Sequence, residues 1–429
     1  MGRFRQFRNP KLSLWQSAAD TVIAERASVA GRPDMEDPIL NAATELAARI
    51  DQGQAVPRLA PVAGPAAMDL TDAVLYCGRL AMAMGEVKAA ARVRDVERFE
   101  AELDPESGPC DAEWLEIAEK YAGRLVLHFG EVPYRRHEAA GDFVIDGQLP
   151  ENARIAIVSQ LGTGASGAGR VLKQIAARKP DVVIHLGDIY YSGTPSEVER
   201  YFLAPLRERL DLSKTRCFSL CGNHDAYSAG AGYYDTLLPA LSQPASYFCL
   251  RNQNWQFIAA DTGLHDRIPG RGPTYLEESE VEWLRDKLRT AGNRQTVLLS
   301  HHQLFSAYES IGETYYNESL YKQVSDLIEQ IALWFWGHEH RLAIYEAFDV
   351  LKPGLARARS IGRGVEGVPA APLFPEVRVK HSAELPEDTY GYAIVELKDA
   401  GARVDYFVDT NESTPVFSET IGAAALRAG

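Results

Sequence analysis

The sequence of 429 residues is long enough for two or three domains at roughly 150 residues each, which excludes a single small module. Hydrophobic residues at 46% and charged residues at 24% lie in the ordinary globular range, so neither disorder nor a fibrous repeat accounts for the bulk of the chain. Its 45 Lys and Arg against 59 Asp and Glu give a net charge of −14, which repels nucleic acid and anionic membranes and favours a small substrate.

From Lys11 to about residue 130 apolar residues fall at steps of three and four, as in Val74, Cys77, Ala81 and Met84, and linkers such as AVPRLAPVAGPAA break the pattern. This predicts a helical N-terminal region over residues 1–145, serving as a lid, a packing layer or a dimerisation surface through which the chain could form a homo-oligomer. The basic start MGRFRQFRNPKLSLW has no continuous apolar stretch behind it, and none of the chain is apolar for long enough to span a bilayer, so no signal peptide or membrane anchor is expected. Five cysteines (Cys77, Cys110, Cys217, Cys221 and Cys249), an odd number without a CxxC pair, fit reduced thiols and a cytoplasmic protein.

Over residues 146–429 short β-branched runs alternate with amphipathic helices: RIAIVS, VLKQIAARK, DVVIHLGD, VERYFLAPLRERL, TRCFSLCGNH. Such alternation predicts βαβ units with helices layered on sheet. SYFCLRNQNWQFIAAD reads as a hairpin about Asn252 to Asn254. EESEVEWLRDKLRTAG reads as a helix with Val281, Leu284 and Leu288 on one face and Gly292 as its stop. TVLLSHH and IALWFWGHEH are buried strands ending in histidine, with Trp334 and Trp336 in the core, and YGYAIVELKDAGARVDYFV is a hairpin turned by Asp399, Ala400 and Gly401.

Eight of the ten histidines follow residue 150, and five of these (His224, His301, His302, His338 and His340) stand at the carboxyl ends of predicted strands, where open α/β sheets place their ligands. Asp, Asn and His side chains gathered without cysteine suit ions such as Mn, Fe or Zn. His185, inside its strand, and Tyr190 read as packing residues. A competing pattern is GTGASG at 162–167, which satisfies GxGxxG with Asp188 placed 21 residues after Gly167, the layout of an NAD-dependent oxidoreductase. That pattern leaves GNHD, HH and GHEH unexplained.

The succession HLGDIYY, CGNHD, SHH and GHEH resembles the calcineurin-like metallophosphoesterases over roughly residues 150–345, and GDIYY, read as GDxxY, is most similar to their purple acid phosphatase branch. The resemblance implies an α/β fold, a four-layer α/β/β/α sandwich, with two metal ions at the strand ends. It implies that Asp188 bridges both ions, that Tyr191 and His340 complete one site, and that Asn223, His301 and His338 hold the other. It gives His224 the catalytic task of protonating the leaving group, or of stabilising charge in the transition state, as a metal-held hydroxide attacks phosphorus, and Asp225 the task of orienting His224. The glycine loop, Gly162 included, reads as backbone amides facing the substrate phosphate, and His302 as either a substrate contact or a packing residue. The sequence departs from the family at Gln160, where the family has an aspartate. The Tyr191 site is thereby one negative charge short, and would be weak or empty. Two readings follow: a phosphate ester hydrolase, or a degenerate relative that binds or regulates without turnover.

Overall fold

The computed structural model describes residues 132–266, 273–364, 371–411 and 413–422, together with Ser13, Gln16, Ser17 and Asp20. The N-terminal helical region, and with it the lid or oligomer role, lies outside the described residues except for those four, which are helical, and the stretch from 132. Among the described residues no helix is long and apolar enough to cross a membrane, and Cys217, Cys221 and Cys249 are free and buried.

The strands are β1 (Val144–Asp146), β2 (Arg154–Val158), β3 (Val182–His185), β4 (Arg216–Ser219), β5 (Phe248–Arg251), β6 (Trp255–Ala260), β7 (Gln295–Ser300), β8 (Ile331–Trp336), β9 (Leu342–Tyr345), β10 (Ala358–Ile361), β11 (Val379–Ala383), β12 (Gly391–Lys398), β13 (Gly401–Val408) and β14 (Phe417–Gly422). They form two sheets, ordered β1-β5-β6-β7-β8-β10-β9-β11 and β14-β13-β12-β2-β3-β4. Within them β2, β3 and β4 run parallel, as do β6, β7 and β8.

Side chains of a strand alternate between its faces, and here both faces are apolar because both are covered. Ile155 and Ile157 of β2 and Leu333 and Phe335 of β8 enter the layer between the sheets. Ala156 and Val158 face the side of helix α1 (Ser166–Ala177), with Val171, Leu172 and Ile175. Trp334 and Trp336 face the other side, where α4 (Glu278–Arg289) sends in Val281, Trp283, Leu284 and Leu288. The result is the four-layer α/β/β/α sandwich. Among the shorter helical segments between α1 and α4 in the chain are α2 (Ala204–Arg209) and α3 (Asn223–Tyr227).

Local signals place the turns well. The chain reverses at residues 252–254 between β5 and β6, and Gly292 past α4 has a φ of +64°. In the last hairpin Lys398 pairs with Gly401, so the turn is Asp399 and Ala400, and Gly401 opens β13 instead of turning it. The boundary drawn at 145/146 falls inside β1, whose Val144 is in register with Cys249, so the α/β body takes in the described residues from 132.

That early stretch is fastened by buried carboxyl groups. Tyr134 Oη donates to Glu280 Oε2 at 2.7 Å, the Asp261 amide donates to Glu280 Oε1 at 2.8 Å, and Tyr234 Oη donates to Asp261 Oδ2 at 3.0 Å. Burial raises the pKa of both carboxyls, and at Glu280 the charge of Asp261 raises it further. An acid whose pKa is raised by folding adds stability below its unfolded pKa and loses it as pH rises through the folded value. Glu280→Gln keeps an oxygen for the Asp261 amide without a charge. Its Tm should therefore gain on the parent's as pH is raised from about 5 to about 8; a gap that does not change with pH would mean that Glu280 is ionised in the fold throughout.

Candidate metal centre at the strand ends

The parallel strands of both sheets deliver their carboxyl ends to one place. Gly187, after β3, has a φ of +98°, and a Cβ there would lie 2.7 Å from His301 Nδ1 and 2.8 Å from the Gly222 nitrogen. A Cβ on Gly222 would fall on Asp188 Oδ1. Only glycine lets these turns close on one another and on His301. Asp188 itself stands at a φ of +70°, a conformation that short polar side chains adopt more readily than others.

Asp225 joins the two turns. Its Oδ2 accepts the amides of Gly222 at 2.8 Å and Asp188 at 2.9 Å, and its Oδ1 accepts that of Ile189 at 3.0 Å. Sequence reasoning set Asp225 to orient His224; the structure instead gives its oxygens to three backbone amides, so that it positions Asp188. Burial and the adjacent Asp188 charge raise its pKa, against the pull of those amides.

His301 Nδ1 lies 2.7 Å from the Leu186 carbonyl, which can only accept, so Nδ1 carries the proton and Nε2 presents a lone pair in the neutral ring. Around Nε2 stand Asn223 Oδ1 at 3.2 Å, His338 Nδ1 at 3.2 Å and Asp188 Oδ2 at 3.3 Å. Asn223 Nδ2 donates to Tyr227 Oη at 2.7 Å, which turns the amide oxygen toward His301. Two oxygen acceptors and two imidazole nitrogens thus face one another, an arrangement that a bound cation would satisfy. Metal bonds of about 2.0–2.1 Å put neighbouring ligand atoms of a tetrahedral site roughly 3.3 Å apart, which is the spacing found here. The surroundings favour positive charge: burial lowers the pKa of His301, but the charge and hydrogen bond of Asp188, the Leu186 carbonyl and the charge of Asp225 together outweigh it and the pKa is raised. Burial opposes ionisation of Asp188 too, yet His301, His224 and His338 hold its carboxyl well below the usual range.

His302 Nε2 meets Asp266 Oδ2 at 2.9 Å and its Nδ1 meets Thr262 Oγ1 at 3.1 Å, so both ring nitrogens have protein partners. Its ring lies 4.5 Å from that of His338. His301, His302 and His338 bring nitrogens within 4.8 Å of one another, a group that could hold a metal ion. The His340 ring is farther out, 6.5 Å from that of His338. His185 is a core histidine: its Nε2 accepts the Leu161 amide, its Nδ1 meets Ser219 Oγ, and burial lowers its pKa to about 3.

The phenol that meets Asp188 is that of Tyr190, assigned to packing from sequence, whose hydroxyl donates to Oδ2 at 3.0 Å. Tyr191 is buried, and its pKa is raised by burial and by the charges of Asp20 and Glu197. Its carbonyl accepts from His224 Nδ1 at 2.6 Å, which leaves Nε2 as the proton-exchanging end of His224. The His224 amide donates to Asp188 Oδ1 at 3.0 Å.

Gln160 is fully buried, its Oε1 accepting the Arg363 amide at 2.9 Å while its Nε2 has no hydrogen-bond partner among the described residues. Gly162 pairs with Ile189 in a single parallel bridge. The start of α1, which a dinucleotide pyrophosphate would need, is taken by Asp388, whose Oδ2 accepts from Ser166 Oγ at 3.1 Å and from the Gly167 amide at 2.8 Å. Tyr190, Thr262, Asp266 and Arg363 are the neighbours of the centre that sequence reasoning missed; only Tyr190, inside GDIYY, lay within a motif.

The family model described as Calcineurin-like phosphoesterase matches residues 153–342, the segment that supplies every one of these ligand-bearing turns. Over that segment the chain is similar to the calcineurin-like phosphoesterases. A glycerophosphodiester phosphodiesterase of Enterobacter lignolyticus is 29% identical to it over 131 residues, 29% of this chain and 42% of that protein. A 3',5'-cyclic adenosine monophosphate phosphodiesterase of Escherichia coli is 29% identical over 122 residues, 28% of this chain and 40% of that protein. The chain thus spans less than half the length of these curated relatives. Among solved structures, a purple acid phosphatase from yellow lupin seeds superposes with a TM-score of 0.47 at 14% identity, over 64% of this chain and 54% of that one. Over residues 153–342 the oxygen and imidazole donors of Asp188, Asn223, His301 and His338 fit one ion of Mn, Fe or Zn by chemistry and by their spacing around His301 Nε2.

Proposed function

We propose that the phosphoesterase domain hydrolyses a small phosphate ester, with phosphodiesters the first class to try, using an ion held by Asp188, Asn223, His301 and His338. The observation that carries this reading is the convergence of their donor atoms at 3.2–3.3 Å around His301 Nε2. An ion bound there supplies Lewis-acid charge to a phosphoryl oxygen and acidity to a water. The side chains do the rest. Asp188 gives the cluster its negative charge, and Asp225 fixes where that charge sits. His224, anchored through Nδ1, delivers a proton from Nε2 to the departing alcohol. The named activities of the two bacterial relatives favour a diester.

The test is metal content per chain on protein purified without chelator, beside hydrolysis of an aryl phosphomonoester and an aryl phosphodiester with added manganese. Bound metal without turnover on either would favour the second reading, a binding or regulatory module, for which Gln160 is the supporting feature. His224→Gln should lower kcat/KM about 10²- to 10⁴-fold for an alkyl ester, and much less for a nitrophenyl ester whose leaving group needs no proton. Equal losses on both would remove the acid role from His224.

A further inference from the structure

The second ion of a binuclear centre would need the residue at position 160, and there the chain has changed the sign of what it offers. Gln160 brings no charge, its oxygen is already used by the Arg363 amide at 2.9 Å, and the buried atom left over is Nε2, an N–H donor that suits an anion and not a cation. Arg363, whose backbone amide makes that bond, carries its guanidinium to the ring of the tyrosine that contacts Asp188. The residue is 1% exposed, and its guanidinium carbon lies 5.8 Å from the ring of Tyr190 and 5.9 Å from the ring of Tyr390. Tyr190 in turn holds Asp188 Oδ2 through its hydroxyl at 3.0 Å.

We propose that Arg363 and Gln160 replace the second metal ion, so that the centre works with one metal ion and one guanidinium, whose N–H groups, with Gln160 Nε2, receive a phosphoryl oxygen of the ester. A guanidinium is protonated at every working pH and presents a planar fork of donors that matches phosphate oxygens. Placed in a buried site it repels a second divalent ion, and the missing carboxylate at position 160 takes away the charge that would offset that repulsion. This inference rests on the reading of the domain as a metal-dependent phosphoesterase.

Metal content measured on the full chain loaded with excess manganese or zinc tests it. One ion per chain is expected in the parent, and two in the double variant Gln160→Asp, Arg363→Gln. Arg363→Gln alone should keep one ion while weakening inorganic phosphate binding at least tenfold, and Arg363→Lys should recover part of that loss. Two ions in the parent would overturn the inference and leave the proposed function standing. No ion in the parent would overturn both. A folded double variant that stays at one ion, or phosphate affinity unchanged in Arg363→Gln, would also overturn the role of Arg363. Should the variants fail to fold, the ion count of the parent decides alone.

Discussion

Replacing Asp188 by asparagine is expected to lower turnover of an aryl phosphodiester by about a thousandfold or more, and to bring the metal content well below one ion per chain. The carboxylate is the negative group directly against the donor cluster, with Oδ2 3.3 Å from His301 Nε2. Asparagine is nearly the same size but brings no charge, and one of its two terminal atoms becomes a donor in a place that must face a cation. The fold has little reason to suffer. The Asp188 backbone amide keeps its bond to Asp225, and the oxygen that asparagine retains can still accept one of the two donors now on the carboxylate, the His224 amide or the Tyr190 hydroxyl. Turnover and metal content should therefore collapse while Tm stays within a few degrees of the parent's. Full metal content in this variant would mean that the ion sits elsewhere.

The largest loss of stability from a single site residue is expected at Asp225. Three buried amides, those of Gly222, Asp188 and Ile189, have its carboxylate as acceptor. An unsatisfied buried donor costs about 1–3 kcal/mol, and release of a carboxyl that burial disfavours offsets part of the sum, so Asp225→Ala should lose about 3–5 kcal/mol in urea unfolding. Asp225→Asn retains one acceptor oxygen and should lose less. The order Ala, then Asn, then parent in unfolding midpoint is the result to look for. A loss below about 1 kcal/mol in Asp225→Ala would show that the amides find other acceptors and that Asp225 does not hold the turns together.

The sheets were legible in the sequence because their strands are apolar on both faces and are closed by local turn residues. Val182, Ile184 and Leu333 carried that signal whatever they packed against. The turns bearing Asp188, Asn223, His301 and His338 were legible for another reason: metal-binding residue types stand beside glycines at strand ends. What the residues did not disclose depends on contacts between distant parts of the chain. Asp225 looks like a partner for His224 because it is next to it, yet its oxygens are claimed by amides of the β3 turn, 36 and 37 residues away in sequence. GTGASG looks like an anion-binding loop, and Asp388, 221 residues from Gly167, supplies the anion. Arg363 lies in no motif, and only the packing of 360–364 against the turn after β2 brings it to Gln160, 203 residues away.

The two sheets share no strand, and the donors are divided between them: Asp188 and Asn223 follow β3 and β4, whereas His301 and His338 follow β7 and β8. What separates the two pairs is the apolar layer in which Ile184, Leu186 and Phe218 meet Leu299 and Phe335. That layer works as a spacer whose thickness sets the bite of the ligands, and close-packed interiors do not absorb an added or missing methylene without a shift. Residues that touch neither ion nor ester, and that would be catalogued as mere filling, thereby fix the gap across which the ester must be held.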